Sequence, residues 1–362
     1  MRADESPIKP RSDSVRRAER VRLSGSTSEA VEWLYARGMT DGLPVVVPTE
    51  QRVQAMVESG TMAPQQEIGA VPPLWGVATA EKIAISAVMA GCLPSYMPVI
   101  VAALRALLDE RFNLQAVQTT TNPVAPLLIV NGPIRQELAI NTGPNVMGPG
   151  CRANATIGRA IRLILINLGG TVPGKSEMAT QGMPGKYTFC IGENEEGSPW
   201  EPLHVERGFG REESTVTVVP ACGTSEICMT GAEHAEDAVL TIPKHMVQIG
   251  SINFAFGNSE LFLIMSPLHA KELARHGFTK QGLRHHLYLN CRAPLAWFAP
   301  QYREKVKDRI VGDEVTPACS EEQFVVVVSG SDSAPRSTFV PTFQSQSVTR
   351  KVALPEPLTH NI

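Results

Sequence analysis

The sequence is poor in aromatic residues and nearly balanced in charge, and together these features exclude one class of partner. Of its 362 residues only 6% are Phe, Trp or Tyr, and the formal net charge at pH 7 is −3. Proteins that bind nucleic acids commonly carry a basic surface in which aromatic side chains are interleaved. The sequence contains neither feature, so we expect no nucleic-acid partner.

The sequence also lacks an apolar segment near its start and a paired set of cysteines. Residues 1–25 are rich in Arg, Ser and Pro, and no apolar core follows them, so they do not form a secretory signal. Seven cysteines, an odd number spread along the chain, do not suit a secreted disulfide framework. We therefore predict a cytoplasmic protein.

No apolar run is long enough, without interruption, to cross a membrane. The stretch from Ile83 to Leu104 contains no charged residue, but Pro94 and Pro98 interrupt it, and Ser95 can cap a new helix. Two buried helices are the better interpretation of this stretch. We expect no membrane partner.

Short apolar runs predict the fold class. Strands are predicted over residues 127–130, 187–191, 215–219, 261–265 and 324–328. Three of these runs are buried strands that end in small polar loops, and helical patterns lie between them. The sequence therefore predicts an α/β protein with an open mixed or parallel sheet, helices on both faces and large loop insertions.

The length of the chain and its changes in composition predict three regions. Residues 1–25 are expected to be a disordered or partner-binding arm. Residues 26–170 form an N-terminal α/β region with an anion-binding loop and helix. Residues 171–362 form a C-terminal α/β region with an acidic loop. We also expect the protein to be an oligomer.

The strand at 127–130 leads into a segment typical of a ligand site. Asn131-Gly-Pro133 follows the strand, a loop rich in Gly and Pro comes next, and a helical pattern begins at Cys151. Free backbone N–H groups and the helix dipole favour negative charge at the start of a helix. The loop matches neither the Gly-x-Gly-x-x-Gly dinucleotide fingerprint nor the P-loop. We predict a small anionic ligand that carries a carboxylate, phosphate or sulfonate.

Arginines and small residues of this segment are the candidate ligand contacts. On a helix, Arg152, Thr156 and Arg159 lie opposite the apolar face that contains Ile157 and Ile161. A solvated helix face after an ordinary loop is the alternative. The predicted substrate-binding residues are Gly148, Gly150, Arg152, Asn154, Thr156 and Arg159.

A second candidate site lies in the acidic loop between the strands predicted at 187–191 and 215–219. In an extended chain, His204 and Glu206 share a face, so they could act as a catalytic base and its orienting partner or bind a divalent metal. The metal hypothesis adds Glu193 and Glu196 as ligands, although no standard zinc motif is present. A solvated acidic loop is the alternative.

Cys222 is the candidate nucleophile. It follows a predicted strand and precedes Gly-Thr-Ser, where free backbone N–H groups could stabilise a thiolate and lower its pKa. The spacing between Cys222 and Cys228 matches no standard zinc or redox motif. Two thiols without a role in the reaction are the alternative. Cys92 and Cys190 have apolar neighbours and are predicted to be core residues.

Three runs of residues resemble an uncharacterised bacterial family. The runs are Asn131–Ile134, Gly148–Arg159 and Glu193–Phe209, and the similarity extends from about Asp41 to Arg350. The family is associated with the UGSC (seleno)proteins, which carry a Sec/Cys-Gly-Ser-Cys motif that this chain lacks. It has no established catalytic roles to transfer. The resemblance implies a small partner protein whose thiol or selenol does redox or substitution chemistry.

These patterns favour an enzyme, or a subunit of one, that acts on a small anionic substrate. The first hypothesis for the reaction is lyase-like or reductive cleavage of a polar bond. The second is metal-dependent hydrolysis, for which a divalent metal would be the cofactor. The third is a non-catalytic scaffold subunit for a thiol or selenol redox partner.

Overall fold

The computed structural model describes residues 17–23, 25–228 and 235–353, so most of the arm predicted at 1–25 lies outside the described residues. The helices are α1 (Thr27–Ala36), α2 (Glu50–Ser59), α3 (Ala80–Ala90), α4 (Met97–Leu107), α5 (Leu114–Thr119), α6 (Ile134–Glu137), α7 (Arg152–Asn167), α8 (Leu203–Glu206), α9 (Ala235–His245), α10 (Ile252–Phe256), α11 (Pro267–Arg275), α12 (Lys280–Asn290) and α13 (Pro300–Arg303). The strands are β1 (Glu67–Val71), β2 (Gly76–Thr79), β3 (Ala125–Asn131), β4 (Cys190–Gly192), β5 (Thr215–Ala221), β6 (Ser225–Cys228), β7 (Leu261–Met265), β8 (Ala293–Pro294), β9 (Ile310–Val311), β10 (Glu314–Val315), β11 (Phe324–Val328), β12 (Arg336–Pro341) and β13 (Val348–Lys351).

The apolar stretch from Ile83 to Leu104 forms two buried helices, as predicted. Helix α3 ends at Gly91, whose φ of 90° is left-handed and suits a residue without Cβ. A short turn at Pro94–Tyr96 then leads into α4. Within the described residues, no helix is long and apolar enough to cross a membrane.

The α/β class and the open mixed sheet are confirmed, and the longer strands form two four-stranded sheets. The first sheet has the order β13-β5-β3-β4, and the second has the order β11-β7-β12-β6. Each sheet has a parallel pair at one edge, β3 with β4 and β7 with β11, and its other neighbours are antiparallel. Two smaller sheets, β1-β2 and β8-β10-β9, complete the structure of the described residues.

The two large sheets pack face to face, and helices cover their outer faces. Leu127 of β3 shares an apolar cluster with Phe262 of β7, which places the two sheets in contact. Its neighbour Leu128 points the other way and packs with α3, α4 and α7. Leu263 of the second sheet packs with α9, α11 and α12. Because side chains alternate along a strand, the result is a sandwich of helices, sheet, sheet and helices.

The two large sheets have the same strand order and the same strand directions. Each sheet takes one outer strand from the other half of the chain. Strands β3, β4 and β5 match β7, β11 and β12 in order and direction, but β6 pairs with β12 and β13 pairs with β5. Where the two segments that change sheets run side by side, Cys222 N donates to Pro341 O and Phe343 N donates to Pro220 O, both at 2.8 Å. These matched bonds indicate an approximate two-fold relation between the halves. The first sheet therefore joins the two regions predicted at 26–170 and 171–362.

The strand predicted at 187–191 is shorter than expected and begins at Cys190, since the 3-10 turn at Pro184–Lys186 leaves Tyr187, its C-cap, with helical backbone angles. The carboxyl end of this strand, β4, lies beside that of β3 and also contacts the second sheet. Asn194 N donates to Val328 O (2.7 Å), and Ser329 Oγ donates to Gly192 O (2.8 Å). This shared edge of the two sheets carries the candidate site.

Candidate functional site

Side chains that follow β3 and β4 form a polar network around Arg135, which is only 3% exposed. Its Nη1 donates to Glu193 O (2.7 Å) and to Glu196 Oε2 (3.1 Å), and its Nη2 donates to Glu196 Oε1 (3.0 Å). Its Nε lies 3.0 Å from Glu195 Oε1. One guanidinium therefore pairs with two carboxylates.

The two carboxylates paired with Arg135 differ in their surroundings. Glu195 is nearly buried and also accepts hydrogen bonds from Gly132 N (2.7 Å) and Asn131 Nδ2 (3.0 Å). The Glu196 side chain is 56% exposed. Hydrogen bonds from Arg135 lower the pKa of Glu196, so this exposed carboxyl is ionised at neutral pH.

A third carboxyl, that of Glu193, is fully buried. Burial raises its pKa, although Lys280 and the hydrogen bonds that it accepts favour the charged form. Those bonds come from Asn131 Nδ2 (2.6 Å) and Leu203 N (2.8 Å), and both reach Oε2. Burial therefore favours a protonated acid next to the charged carboxylates.

His204 faces a different carboxylate from the one predicted. It lies fully buried in α8, where Nε2 is 3.3 Å from Arg211 O and Nδ1 is 3.9 Å from Glu195 Oε1. The expectation that His204 and Glu206 share a face is wrong, because residues 203–206 form a helical turn instead of an extended chain. Glu206 instead pairs with Lys280 (2.6 Å) and with Arg284.

The predicted metal ligands Glu193, Glu196, His204 and Glu206 do not converge on one point. Glu196 is paired with Arg135, while Glu206 is paired with two basic residues of α12. Among the residues that the structure describes, no group of three or more His, Cys, Asp or Glu side chains could hold a metal ion. This ligand set was therefore wrong.

A cleft of about 460 Å³ opens beside the Arg135 network. The residues that line it are Arg135, Gln136, Ala139, Ile140, Asn141, Thr142, Gly143 and Glu196. Its volume is in the range of small-molecule sites. The loop at 139–143 connects it to the first turn of α7, since Cys151 Sγ donates to Ala139 O (3.2 Å) and Asn141 N donates to Asn154 Oδ1 (2.8 Å).

Helix α7 forms as predicted, and its predicted apolar face is buried. Its arginines, however, already have protein partners. Arg159 donates two hydrogen bonds to the Asp41 carboxylate, both at 2.8 Å, and a third to Pro44 O (2.9 Å). Arg152 donates through Nε (3.0 Å) and Nη2 (2.9 Å) to the neutral Gly91 O. Arg152 thus keeps an unbalanced charge, whereas Asp41 neutralises Arg159.

The remaining predicted ligand contacts support the loop and the helix. Asn154 is buried, and its Nδ2 donates to Asn141 O (3.0 Å) and Cys190 O (3.1 Å). Thr156 Oγ1 donates to Arg152 O (2.8 Å). Gly148 and Gly150 lie in the loop before α7, with Gly150 at a φ of 125°. Contact between these residues and an anionic ligand stays a prediction.

The lowered pKa expected for Cys222 was wrong. Burial raises the pKa of this thiol to about 12, although Lys186 opposes the shift. Its own backbone N–H donates to Pro341 O (2.8 Å). Because the thiolate is the nucleophilic form, this environment does not favour attack by Cys222. The core positions predicted for Cys92 and Cys190 are confirmed.

Comparison of the chain with protein-family models gives no match, and comparison with curated proteins gives none either. The resemblance to the family associated with UGSC (seleno)proteins therefore stays a prediction. The fold and the site define an α/β protein with a cleft lined by one arginine, Arg135, and by the carboxyl group of Glu196, with further carboxyl groups bound to that arginine network behind it.

Three residues of this network, Asn131, Arg135 and Glu195, are not among the site residues predicted from the sequence. Asn131 stands at the end of a predicted strand, and Glu195 lies in the acidic loop. Both signals were visible, but the parallel pairing of β3 and β4 that joins them was not.

Proposed function

We propose that the protein is an enzyme, or the catalytic subunit of one, that binds the carboxylate or a similar anionic group of a small substrate at Arg135. The observation that carries this proposal is the bidentate pair between nearly buried Arg135 and the exposed carboxylate of Glu196. The planar guanidinium fork matches a carboxylate in geometry and charge. Glu196 occupies the position that a substrate carboxylate would take in the cleft.

Exchange of Glu196 for a ligand is energetically accessible. The Glu196 side chain is more than half exposed, so it can turn toward solvent without leaving its own charge buried. Arg135 itself is held by Gly132 O (2.9 Å) and Glu193 O (2.7 Å), so its fork keeps its position when Glu196 turns away. A ligand that adds contacts to the loop at 139–143 can therefore replace Glu196.

Helix α7 supports the negative charge of such a ligand. The helix has 16 residues, and Cys151 at its N-cap makes no side-chain capping bond. The positive end of its dipole lies next to the loop that lines the cleft, because Asn141 N of that loop donates to Asn154 in the first turn. These features favour an anionic ligand over a cationic one.

The groups behind the cleft wall suit proton transfer. Glu195 contacts Arg135 and lies near His204, so its carboxylate can accept a proton from a bound substrate and become the neutral acid. Glu193, as a protonated acid, can return a proton to the network. Lyase-like cleavage by acid–base catalysis is therefore the reaction class that we favour. The raised pKa of Cys222 argues against reductive cleavage by this thiol.

Calorimetric titration with malonate, a small dicarboxylate probe, tests the binding proposal. Glu196→Ala should bind malonate about two- to fivefold more tightly than the natural protein, because a competing ion pair is lost. Arg135→Lys, which cannot form the bidentate pair, should bind at least about tenfold more weakly.

Glu137→Ala is the matched control. Glu137 lies on the same short helix as Arg135, is exposed and does not line the cleft. A gain in affinity equal to that of Glu196→Ala would show a general effect of charge. Equal malonate binding by all variants, at unchanged unfolding temperature, would refute the proposal and leave the scaffold hypothesis.

A further inference from the structure

Three neighbouring strands present a row of polar side chains between the two sheets. Glu193 follows β4, Asn131 ends β3 and Thr215 begins β5. In register, Val130 lies opposite Gly192 and Asn131 lies opposite Thr215. Glu193 N donates to Val130 O (3.1 Å), which extends the ladder by one residue. Side chains alternate along a strand, and the residues next to these three face the outer helices. The three side chains therefore point toward the second sheet.

Each residue of this row has one buried polar atom without a protein partner. The atoms are Glu193 Oε1, Asn131 Oδ1 and Thr215 Oγ1, and His204 Nδ1, which belongs to the helix α8 beside the row, is a fourth. All four residues are fully buried, with exposures of 0%. Asn131 is adjacent to both Thr215 and Glu193 in the sheet, and Leu203, next to His204, donates to Glu193 Oε2, so the four residues are neighbours. Buried polar atoms are almost always hydrogen-bonded, so four unpaired atoms on neighbouring residues suit a small bound molecule.

The contacts of the four residues settle which atoms donate and which accept. Asn131 Nδ2 donates to the carboxyl groups of Glu193 and Glu195, which leaves Oδ1 as an acceptor. His204 Nε2 faces a carbonyl oxygen, which favours the tautomer with the hydrogen on Nε2 and leaves Nδ1 as an acceptor. Glu193 Oε2 already accepts two hydrogen bonds, so the hydrogen of the acid form that burial favours lies on Oε1, which donates, and the Thr215 hydroxyl can donate as well. Two donors and two acceptors are the partners that a single water molecule needs.

We propose that Glu193, Asn131, Thr215 and His204 bind one buried water molecule between the two sheets. The water accepts from Glu193 Oε1 and Thr215 Oγ1 and donates to Asn131 Oδ1 and His204 Nδ1. A metal cation fits less well, because no group of three or more His, Cys, Asp or Glu side chains among the described residues could hold one. This proposal does not depend on carboxylate binding at Arg135.

The water connects Glu193 with His204. A proton can pass from Glu193 Oε1 to the water while the water releases one of its own protons to His204 Nδ1. The products are the Glu193 carboxylate, the His204 imidazolium and an unchanged water molecule, so the total charge is conserved. The row thereby supplies a path for protons behind the wall of the cleft.

High-resolution crystal structures of the natural protein and three variants test this proposal. The natural protein should show one solvent peak at about 2.6–3.2 Å from each of the four atoms. Thr215→Val removes one donor, and we expect the peak to disappear or to lose most of its occupancy. Thr215→Ser keeps the hydroxyl and should keep the peak.

Thr217→Val is the matched control, because Thr217 lies on the same strand and face but its hydroxyl already pairs with Thr349 Oγ1 (2.8 Å). It should keep the peak. The proposal is overturned if the natural protein shows no peak, if the four atoms bond directly to one another, or if a metal ion with shorter contacts occupies the place. Should Thr215→Val fail to fold, the maps of the natural protein and of Thr215→Ser decide.

Discussion

At the scale of single residues, Glu193 makes the stability of the fold depend on pH. Its carboxyl is buried, and burial raises its pKa above the ordinary value of 4.5. The unfolded chain releases this proton first, so the Glu193 contribution is fully present below about pH 4.5 and is lost as the pH rises toward the folded pKa.

We expect Glu193→Gln, which keeps the shape and cannot ionise, to reduce this loss. Urea unfolding between about pH 5 and about pH 8 should show a shallower decline of the free energy of unfolding, by up to about 1.4 kcal/mol per pH unit. The exposed control Glu137→Gln should follow the natural protein. Identical pH profiles for Glu193→Gln and the natural protein would refute the raised pKa.

His269 gives the opposite dependence on pH. It is 1% exposed, and burial lowers the pKa of its ring from 6.5 to about 4. The neutral ring is favoured in the fold, so its contribution is present above about pH 6.5 and is lost as the pH falls toward 4. His269→Gln should reduce the loss of unfolding free energy between about pH 6.5 and about pH 4 by up to roughly 3 kcal/mol, as measured by urea unfolding. His276→Gln, an exposed control, should leave it unchanged; equal acid sensitivity in both variants would contradict the assignment.

At the scale of elements, Arg159 ties helix α7 to the segment at Asp41. The two side chains are 15% and 3% exposed, so loss of the arginine leaves a nearly buried carboxylate unpaired. We expect Arg159→Ala to lower the free energy of unfolding by roughly 3 kcal/mol, measured with urea. Arg152→Ala, whose guanidinium is exposed and bonds to a neutral carbonyl, should cost less than about 1 kcal/mol. Equal losses of unfolding free energy in the two variants would show that the pair with Asp41 stabilises the fold no more than the bond of Arg152 to a carbonyl.

The elements also show what local sequence patterns predict. Helix α7 was predictable because apolar residues such as Ile157 and Ile161 recur on one face and the helix is long. The turn that holds His204 was mistaken for an extended chain, because a helix of 4 residues is too short to establish a period. That single difference moves Glu206 away from His204 and brings Glu195 to it.

The candidate site was only partly predictable for a related reason. The acidic loop and the segment at Asn131 are each predictable from the sequence. Arg135 joins them through contacts between residues that lie about 60 positions apart in the sequence. Such contacts follow from the pairing of β3 with β4. Apolar runs such as Leu127–Val130 predict a buried strand but carry no information about which strand will lie beside it.

At the scale of the whole molecule, the exchange of β6 and β13 makes the two halves depend on each other. Each half alone would lack one outer strand and would expose the apolar face between the sheets. We expect fragments 17–228 and 235–353, produced separately, to show no cooperative unfolding by circular dichroism. Produced together, they should purify as a one-to-one complex. Cooperative unfolding of either fragment alone would contradict this dependence.

The central claim is that the cleft binds a substrate carboxylate at Arg135 in place of Glu196. The most direct measurement is a crystal structure of the natural protein grown with malonate. We predict a malonate carboxylate at about 3 Å from both Nη1 and Nη2 of Arg135, with the Glu196 side chain turned toward solvent. Malonate bound elsewhere, for example at Arg152, with the pair between Arg135 and Glu196 intact, would contradict the claim.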